Sequence, residues 1–379
     1  MTVSLSLSPA SARAVPVSRW RKAVVERGLR SAVGRLPLRV RFGSGRAVGL
    51  GGPLVEVRDA PAFFRRVGAG GFVGIGESYI AGEWEAQDLV GVLTVLAEHA
   101  GGPMPASIRR ILRSAPQDAG HLRPPGEEFV ARYLDETLSH SGALFRALPA
   151  QRPLLAAAQH RKIDRLLDLA EVGPGTQLLE IGAGSGETAI RAGRRGARVL
   201  TVAGSLEELA LARGRVAAAG LEGRVTVLLR DYRRVLGSYD AIVSVEAVQA
   251  VDAEFVMTLD RLLAPGGRIA LQTVTAAHDR LPVVRTASAW IHKHAVPGGP
   301  PPAAQEIAQL VASRTGLRIA ARDSFGAHYA ETVRLWREQF EHVPADDRLR
   351  RTWGFYLACS EAGFRSGCVD VEQLLLTGP

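Results

Sequence analysis

From Leu179 onward, short apolar runs alternate with stretches of helical periodicity. The runs fall at 179–181, 198–202, 224–229, 240–245 and 268–274, the last after the turn Pro265-Gly266-Gly267. Strands that alternate with helices predict an α/β fold built on a doubly wound parallel sheet. Upstream the pattern breaks into smaller pieces. Residues 19–100 read as a separate N-terminal domain, with a helical opening at 20–33, strands at 38–42 and 54–57, and turns at 49–53 and 68–71. A Pro- and Gly-containing connector, 101–133, leads into the sheet-bearing domain at 134–379. The cluster Val296-Pro297-Gly298-Gly299-Pro300-Pro301-Pro302 interrupts its last part, 283–379, which is expected to form helices that cover the substrate. Residues 1–18 contain Ser and Arg but no acid, and lack an apolar region behind a basic one. They read as a flexible tail rather than a signal peptide.

Chemistry concentrates in Leu179-Glu180-Ile181-Gly182-Ala183-Gly184-Ser185-Gly186, an apolar strand running into alternating glycines. Gly182, Gly184 and Gly186 let a cofactor approach the backbone where a Cβ would collide. A dinucleotide fingerprint wants G-x-G-x-x-G, and the spacing here differs. Glu180 places negative charge beside the cleft, which repels phosphate and suits a cationic sulfonium such as S-adenosylmethionine. The alternative is a glycine-rich turn with no ligand. In such sheets the ligand sits at the carboxyl ends of the strands, so Ser205, Glu208, Asp231, Tyr232 and residues 246–249 would rim one crevice. Class I methyltransferases often carry an acid at the end of the second strand to hold the ribose. Ala203-Gly204 stands there in this chain, and Glu208 one helical turn later is the nearest substitute. Asp231 is placed to accept from an adenine amino group, or is a solvated loop acid.

With 379 residues, two domains are the natural expectation. The formal net charge of +9 is almost wholly arginine, because lysine occurs only at Lys22, Lys162 and Lys293. A basic balance suits peripheral contact with anionic membrane, at the inner membrane face. Nucleic acid is the rival partner, but no reader motif is present. Two cysteines, Cys359 and Cys368, are too few for a disulfide framework and imply a reducing, cytoplasmic setting. No apolar run approaches the length of a membrane span. His292 and His294 lack the spacing of ligands on one helix face, so no metal is expected. Whether the chain forms a homodimer stays open.

The flanking motifs narrow the reading. Gly74-Ile75-Gly76-Glu77-Ser78-Tyr79-Ile80-Ala81-Gly82-Glu83-Trp84, Trp290-Ile291-His292-Lys293-His294-Ala295-Val296-Pro297-Gly298-Gly299, and the C-terminal segments Phe325 to Thr332 and Cys359 to Arg365 resemble the cyclopropane-fatty-acid synthases, a group that includes the mycolic acid cyclopropane synthases. The resemblance spans about residues 38–376. It implies a class I methyltransferase-type sheet with a smaller N-terminal domain, and transfer of a methyl group from S-adenosylmethionine to the alkene of a long apolar acyl or polyketide-like chain. A base then removes a proton from that methyl and the ring closes. In the family this base is thought to be bicarbonate, held by a Cys, a Glu, a His and a Tyr.

Only the last of those four is kept, as Tyr329. The loop that carries the family's Cys reads His140-Ser141-Gly142, the acid is matched by Gln249 and the imidazole by Gln272. The family's HYDLGN stretch becomes His121-Leu122-Arg123-Pro124-Pro125-Gly126. His140 and Ser141 join the expected cofactor contacts, and Tyr329, Gln249, Gln272 and Glu361 form the expected catalytic set. Glu361 would hold Tyr329 or a neighbouring arginine, or pair structurally with Arg365. An amide is a very poor base at pH 7, so the two glutamines predict a site with the phenol as its one titratable group, and bicarbonate is doubtful. The expected outcome is a methyl or methylene branch, or a cyclisation. A non-methylating cyclase and a catalytically silent lipid-binding paralogue are the alternatives. Trp336, Phe340, Trp353, Phe355, Tyr356 and Phe364 recur in helical register and are expected to pack the core more than to line the substrate.

Overall fold

Alternate residues of the central strands point into two different cores, which makes the sheet a buried middle layer. Leu178, Val199, Ala241, Val243 and Ala270 pack one face, while Leu179, Ile181, Val202, Ile242, Ile269 and Leu271 pack the other. Strands covered on both faces read as continuous apolar runs, which is why the sequence pattern exposes them. The computed structural model describes residues 26–31, 33–99, 126–247, 251–296 and 298–378. The expected tail at 1–18 and most of the expected connector lie outside the described residues, as do residues 121–125 and Gln249.

In chain order the elements are β1 (Arg39–Phe42), β2 (Leu54–Val57), α1 (Ala60–Ile80), β3 (Trp84–Ala86), α2 (Leu89–His99), α3 (Glu127–Ala131), α4 (Leu155–Leu169), β4 (Gln177–Ile181), α5 (Glu187–Arg194), β5 (Arg198–Ala203), α6 (Leu206–Ala218), β6 (Val225–Leu229), β7 (Tyr239–Val245), α7 (Ala253–Leu262), β8 (Leu263–Ala276), α8 (Leu281–His294), α9 (Ala304–Arg314), β9 (Arg318–Ser324), α10 (Gly326–Phe340), α11 (Asp347–Arg365) and β10 (Val369–Thr377). The large sheet has the order β6-β5-β4-β7-β8-β10-β9. Strands β4 to β8 pair in parallel, and β10 enters antiparallel between β8 and β9. Strand order reverses between β4 and β7, so a crevice opens beyond the ends of those two strands, where Gly182 and Glu246 follow.

Two expectations need correction. The segment 283–379 is not helices alone, because β9 and β10 complete the sheet, with Val369 to Thr377 running along Ala276 to Arg268. The outer strand β9, Arg-Ile-Ala-Ala-Arg-Asp-Ser, is exposed along most of its length and carries no apolar alternation to announce it. The expected turn at 68–71 is instead a kink inside α1, where Gly71 leaves helical geometry at φ 57° and ψ −129°.

The N-terminal block does not own its core. Leu38, Val40, Val57, Val73 and Trp84 pack together with Trp290 of α8 and Phe355, Ala358 and Ala362 of α11. Arg351 of α11 donates to the Tyr79 carbonyl at 2.7 Å and pairs with Glu85 at 3.1 Å. Lys293 and His294 of α8 converge on Glu77, whose carboxyl these contacts hold at about 2 against the opposing effect of burial.

Gly76 marks the closest approach in this joint. A Cβ there would stand 2.2 Å from Nε1 of Trp290, which is fully buried and cannot swing aside. Gly76→Ala should therefore destabilise the protein by about 1–3 kcal/mol, the usual range for overpacking. Gly214→Ala in α6, where a Cβ meets nothing within 4 Å, should stabilise it by about 0.5–1 kcal/mol. Thermal unfolding of both variants checks the pair, and equal melting temperatures would contradict it.

Candidate active site

The glycine turn after β4 opens one wall of a cleft of about 1150 Å³. Gly182 sits at φ 90° and a Cβ on it would lie 2.0 Å from the Ala247 side chain, so only glycine lets this turn pass the end of β7. Gly184, at φ 50°, has open space where its Cβ would be. Its N–H donates to Glu208 at 2.5 Å, and the second Glu208 oxygen accepts from Gly204 at 2.6 Å. Glu208 thus ties the turns after β4 and β5 together. Ser205 caps α6 by accepting from the Glu208 N–H at 3.1 Å.

The structure brings Glu180, Gly182, Gly184, Ser205, Glu208, Asp231, Tyr232, His140 and Ser141 to this one cleft. Gly186 stands just behind them as the N-cap of α5, at φ 81°. Burial pushes the Glu180 carboxyl up to about 8, and its Oε2 has no hydrogen-bond partner. Such an oxygen fits a cationic group, which would return the acid to its charged form. Asp231 is engaged by Arg233 at 2.5 Å and held at about 2. His140 packs against Tyr133 and Trp336 on the rim of the cleft with part of its surface exposed, and desolvation on its packed side lowers it below the usual imidazole range.

A second cavity of about 650 Å³ lies between α8, α10, α11 and the N-terminal block. Ile75, Leu93, Val284, Ile291, Val333 and Leu357 contribute apolar walls, and Trp336, Tyr356 and Phe364 line it as well as packing the core. The two cavities share Glu246 and Ala247.

Glu246 is the residue that sequence reasoning missed. It follows β7 with φ 53°, a left-handed conformation that non-glycine residues seldom adopt and that collects at functional sites. Gln272 Nε2 donates to its Oε1 at 2.7 Å, the Gly142 N–H reaches the same oxygen at 3.4 Å, and the Tyr329 hydroxyl donates to Oε2 at 2.8 Å. Burial raises the Glu246 carboxyl above the usual range, while these donors and the nearby Lys162 charge oppose the rise. Lys162 is itself buried, depressed to about 8, and donates to Ser141 Oγ at 2.6 Å.

The expectation of a site with the phenol as its one titratable group is therefore wrong. The available signal is an acid directly after an apolar strand, a position the sequence pattern assigns to the rim of the crevice. Gln272 lines neither cavity. Its amide oxygen accepts from Gln373 at 3.0 Å, which fixes its amide nitrogen toward Glu246. Glu361 does not hold Tyr329: it is fully buried, paired with Arg337 at 2.9 Å and Arg365 at 2.7 Å, and lies outside both cavities. Tyr329 stacks on Phe364 at 4.2 Å. A Cβ at Gly142 would come within 2.7 Å of the Tyr329 ring, so the loop has no room for a thiol while that ring is in place. Among the described residues no group of His, Cys, Asp and Glu is arranged to hold a metal ion.

The sequence model of the mycolic acid cyclopropane synthetase family matches residues 122–374. The chain is 40% identical to the tuberculostearic acid methyltransferase UfaA1 of Mycobacterium tuberculosis over the full length of both. It is 28% identical to the cyclopropane-fatty-acyl-phospholipid synthase of Escherichia coli, over 84% of this chain and 86% of that one. Among solved structures, the mycolic acid cyclopropane synthase CmaA1 complexed with SAH and CTAB superposes with a TM-score of 0.60 at 26% identity, over 66% of this chain and 94% of that chain.

Valine at position 184 would put a β-branched side chain in a left-handed conformation, at a cost of about 1–3 kcal/mol, and would project it into the cleft. Gly184→Val should abolish S-adenosylmethionine binding in a calorimetric titration while leaving a cooperative unfolding transition. Unchanged affinity would remove the glycine turn from the binding site.

Proposed function

The chain belongs to the mycolic acid cyclopropane synthetase family, and from that premise we propose that it transfers one carbon from S-adenosylmethionine to the alkene of a long unsaturated fatty acyl chain, leaving a branch rather than a ring. It is an S-adenosylmethionine-dependent transferase of the cyclopropane-synthase kind. One observation carries the reading. A polar cleft at the switch point of the sheet and an apolar cavity under the C-terminal helices meet at Glu246 and Ala247. A nucleoside cofactor in the first and an acyl chain in the second would face each other there.

The residues divide the work accordingly. Glu180 and the glycine turn would hold the cationic amino-acid part of the cofactor, with Ser205, Glu208, Asp231 and Tyr232 along the nucleoside side and His140 and Ser141 closing the cleft. When bound, S-adenosylmethionine supplies an electrophilic methyl group on a sulfonium. The walls of the second cavity desolvate the alkene and keep water from capturing the carbocation that methyl addition creates. Aromatic rings of Tyr329, Tyr356, Phe364 and Trp336 line the cavity and can stabilise that positive charge through their faces. The full-length likeness to a tuberculostearic acid methyltransferase supports a ring-free product.

Among the described residues no helix is long and apolar enough to cross a membrane.

Incubation with methyl-labelled S-adenosylmethionine and monounsaturated phospholipids, followed by mass spectrometry of the released fatty acids, tests the reading. Label should enter a branched acyl chain, at a rate indifferent to added bicarbonate. A cyclopropane as main product, stimulated by bicarbonate, would contradict it.

A further inference from the structure

We propose that the Glu246 carboxylate is the general base of this reaction, built into the chain where the family resemblance implied an external bicarbonate ion. The inference rests on the transfer reaction proposed above and adds the atom that receives the proton. Its first support is position, because among the described residues Glu246 alone of the ionisable ones lines both the cofactor cleft and the apolar cavity. Its second is the donor set. Gly142 stands where the resemblance places a thiol and Gln272 where it places an imidazole, and Tyr329 is the retained phenol. All three now donate to the two oxygens of Glu246. Donors committed to a carboxylate of the chain leave no cradle for a separate anion.

Two further features fit a rebuilt site rather than a decayed one. The backbone at Glu246 is held at φ 53°, which swings the side chain in from beyond the strand end at an energetic cost that packing must sustain. At Gly142 the absent side chain leaves room for the Tyr329 ring. Both departures from the family pattern serve the same contact.

The step balances as follows. Once a methyl group has been added to one alkene carbon, its neighbour carries the positive charge. A hydride moves from the methylated carbon to that neighbour, which places the charge on the branched carbon. A C–H bond of the added methyl then breaks, and its electron pair forms a π bond to the branched carbon. The proton ends on a Glu246 oxygen, and the product is a methylene-branched chain. Without the hydride shift, the same proton loss would close a three-membered ring. Gln272 and Tyr329 position the carboxylate, and Lys162 favours its charged form.

Glu246→Gln keeps the shape and removes the base. It should bind S-adenosylmethionine with parental affinity by calorimetry and lose about 10²–10⁴-fold in turnover, the span typical of a general base. Glu246→Gly should reopen the cradle, so that bicarbonate or formate binds with measurable heat and restores part of the turnover, while the parent shows neither effect. If the glutamine variant does not fold, Glu246→Asp takes its place, with cofactor affinity retained and turnover reduced. Parental turnover in Glu246→Gln, or a parent that requires bicarbonate, overturns the base and leaves the transfer reaction standing. A parent that moves no labelled methyl to any unsaturated chain overturns the transfer reaction, and the base with it.

Discussion

A carboxylate removed from bulk water must be met by donors or it will not stay ionised, and Glu246 draws those donors from three distant stretches of chain. Gly142 belongs to the loop before α4, Gln272 to β8 and Tyr329 to α10. Each has its own support: Gln373 of β10 fixes Gln272, and Phe364 of α11 stacks on Tyr329. Lys162 of α4 carries Ser141, the neighbour of Gly142. The C-terminal strands and helices are thus tied to one side chain through its hydrogen-bond donors and their supports. A buried acid left without such partners would cost about 1–3 kcal/mol or more for each missing donor and would protonate instead.

The sheet and its additions divide two solubility problems between them. Parallel strands and the turns after β4 and β5 form the polar cleft proposed for a charged, water-soluble cofactor. The apolar cavity needs walls that the sheet cannot supply, and α8, α10, α11 and the N-terminal block provide them. Because Trp290 and Phe355 belong to the same core as Val57, Val73 and Trp84, the N-terminal block is held against those helices rather than tethered beside them. Glu77 with Lys293 and His294 reinforces the same joint. The two compartments touch where β7 ends, which is where the proposed reaction between a sulfonium methyl and an alkene would take place.

Much of this was legible in the sequence, for identifiable reasons. Strands β4 to β8 are covered on both faces, so their apolar runs stood out, and the glycine turn and its flanking acid located the cleft. The kink at Gly71 reads as a turn in the sequence because a helix carrying so many glycines has no clear period. Strand β9 escaped notice because an exposed edge strand needs no apolar face. Glu246 was missed for a different reason. Its importance depends on Gly142, Gln272 and Tyr329 arriving from 104, 26 and 83 positions away, and no local spacing records that convergence. Matching the acid of the family pattern to Gln249 drew attention three residues too far along the chain. For Glu361 the motif pointed both ways: its expected pairing with Arg365 is found, joined by Arg337, whereas the contact with Tyr329 is not.

The claim that a carboxylate of this chain takes a proton from the newly added methyl group can be read from the fate of that group's hydrogens. S-adenosylmethionine carrying a trideuterated methyl should give, by mass spectrometry, a methylene-branched acyl product that retains two of the three deuterium atoms. Retention of all three would place the proton loss elsewhere on the chain and contradict the assignment of Glu246 as the base that acts on the methyl group.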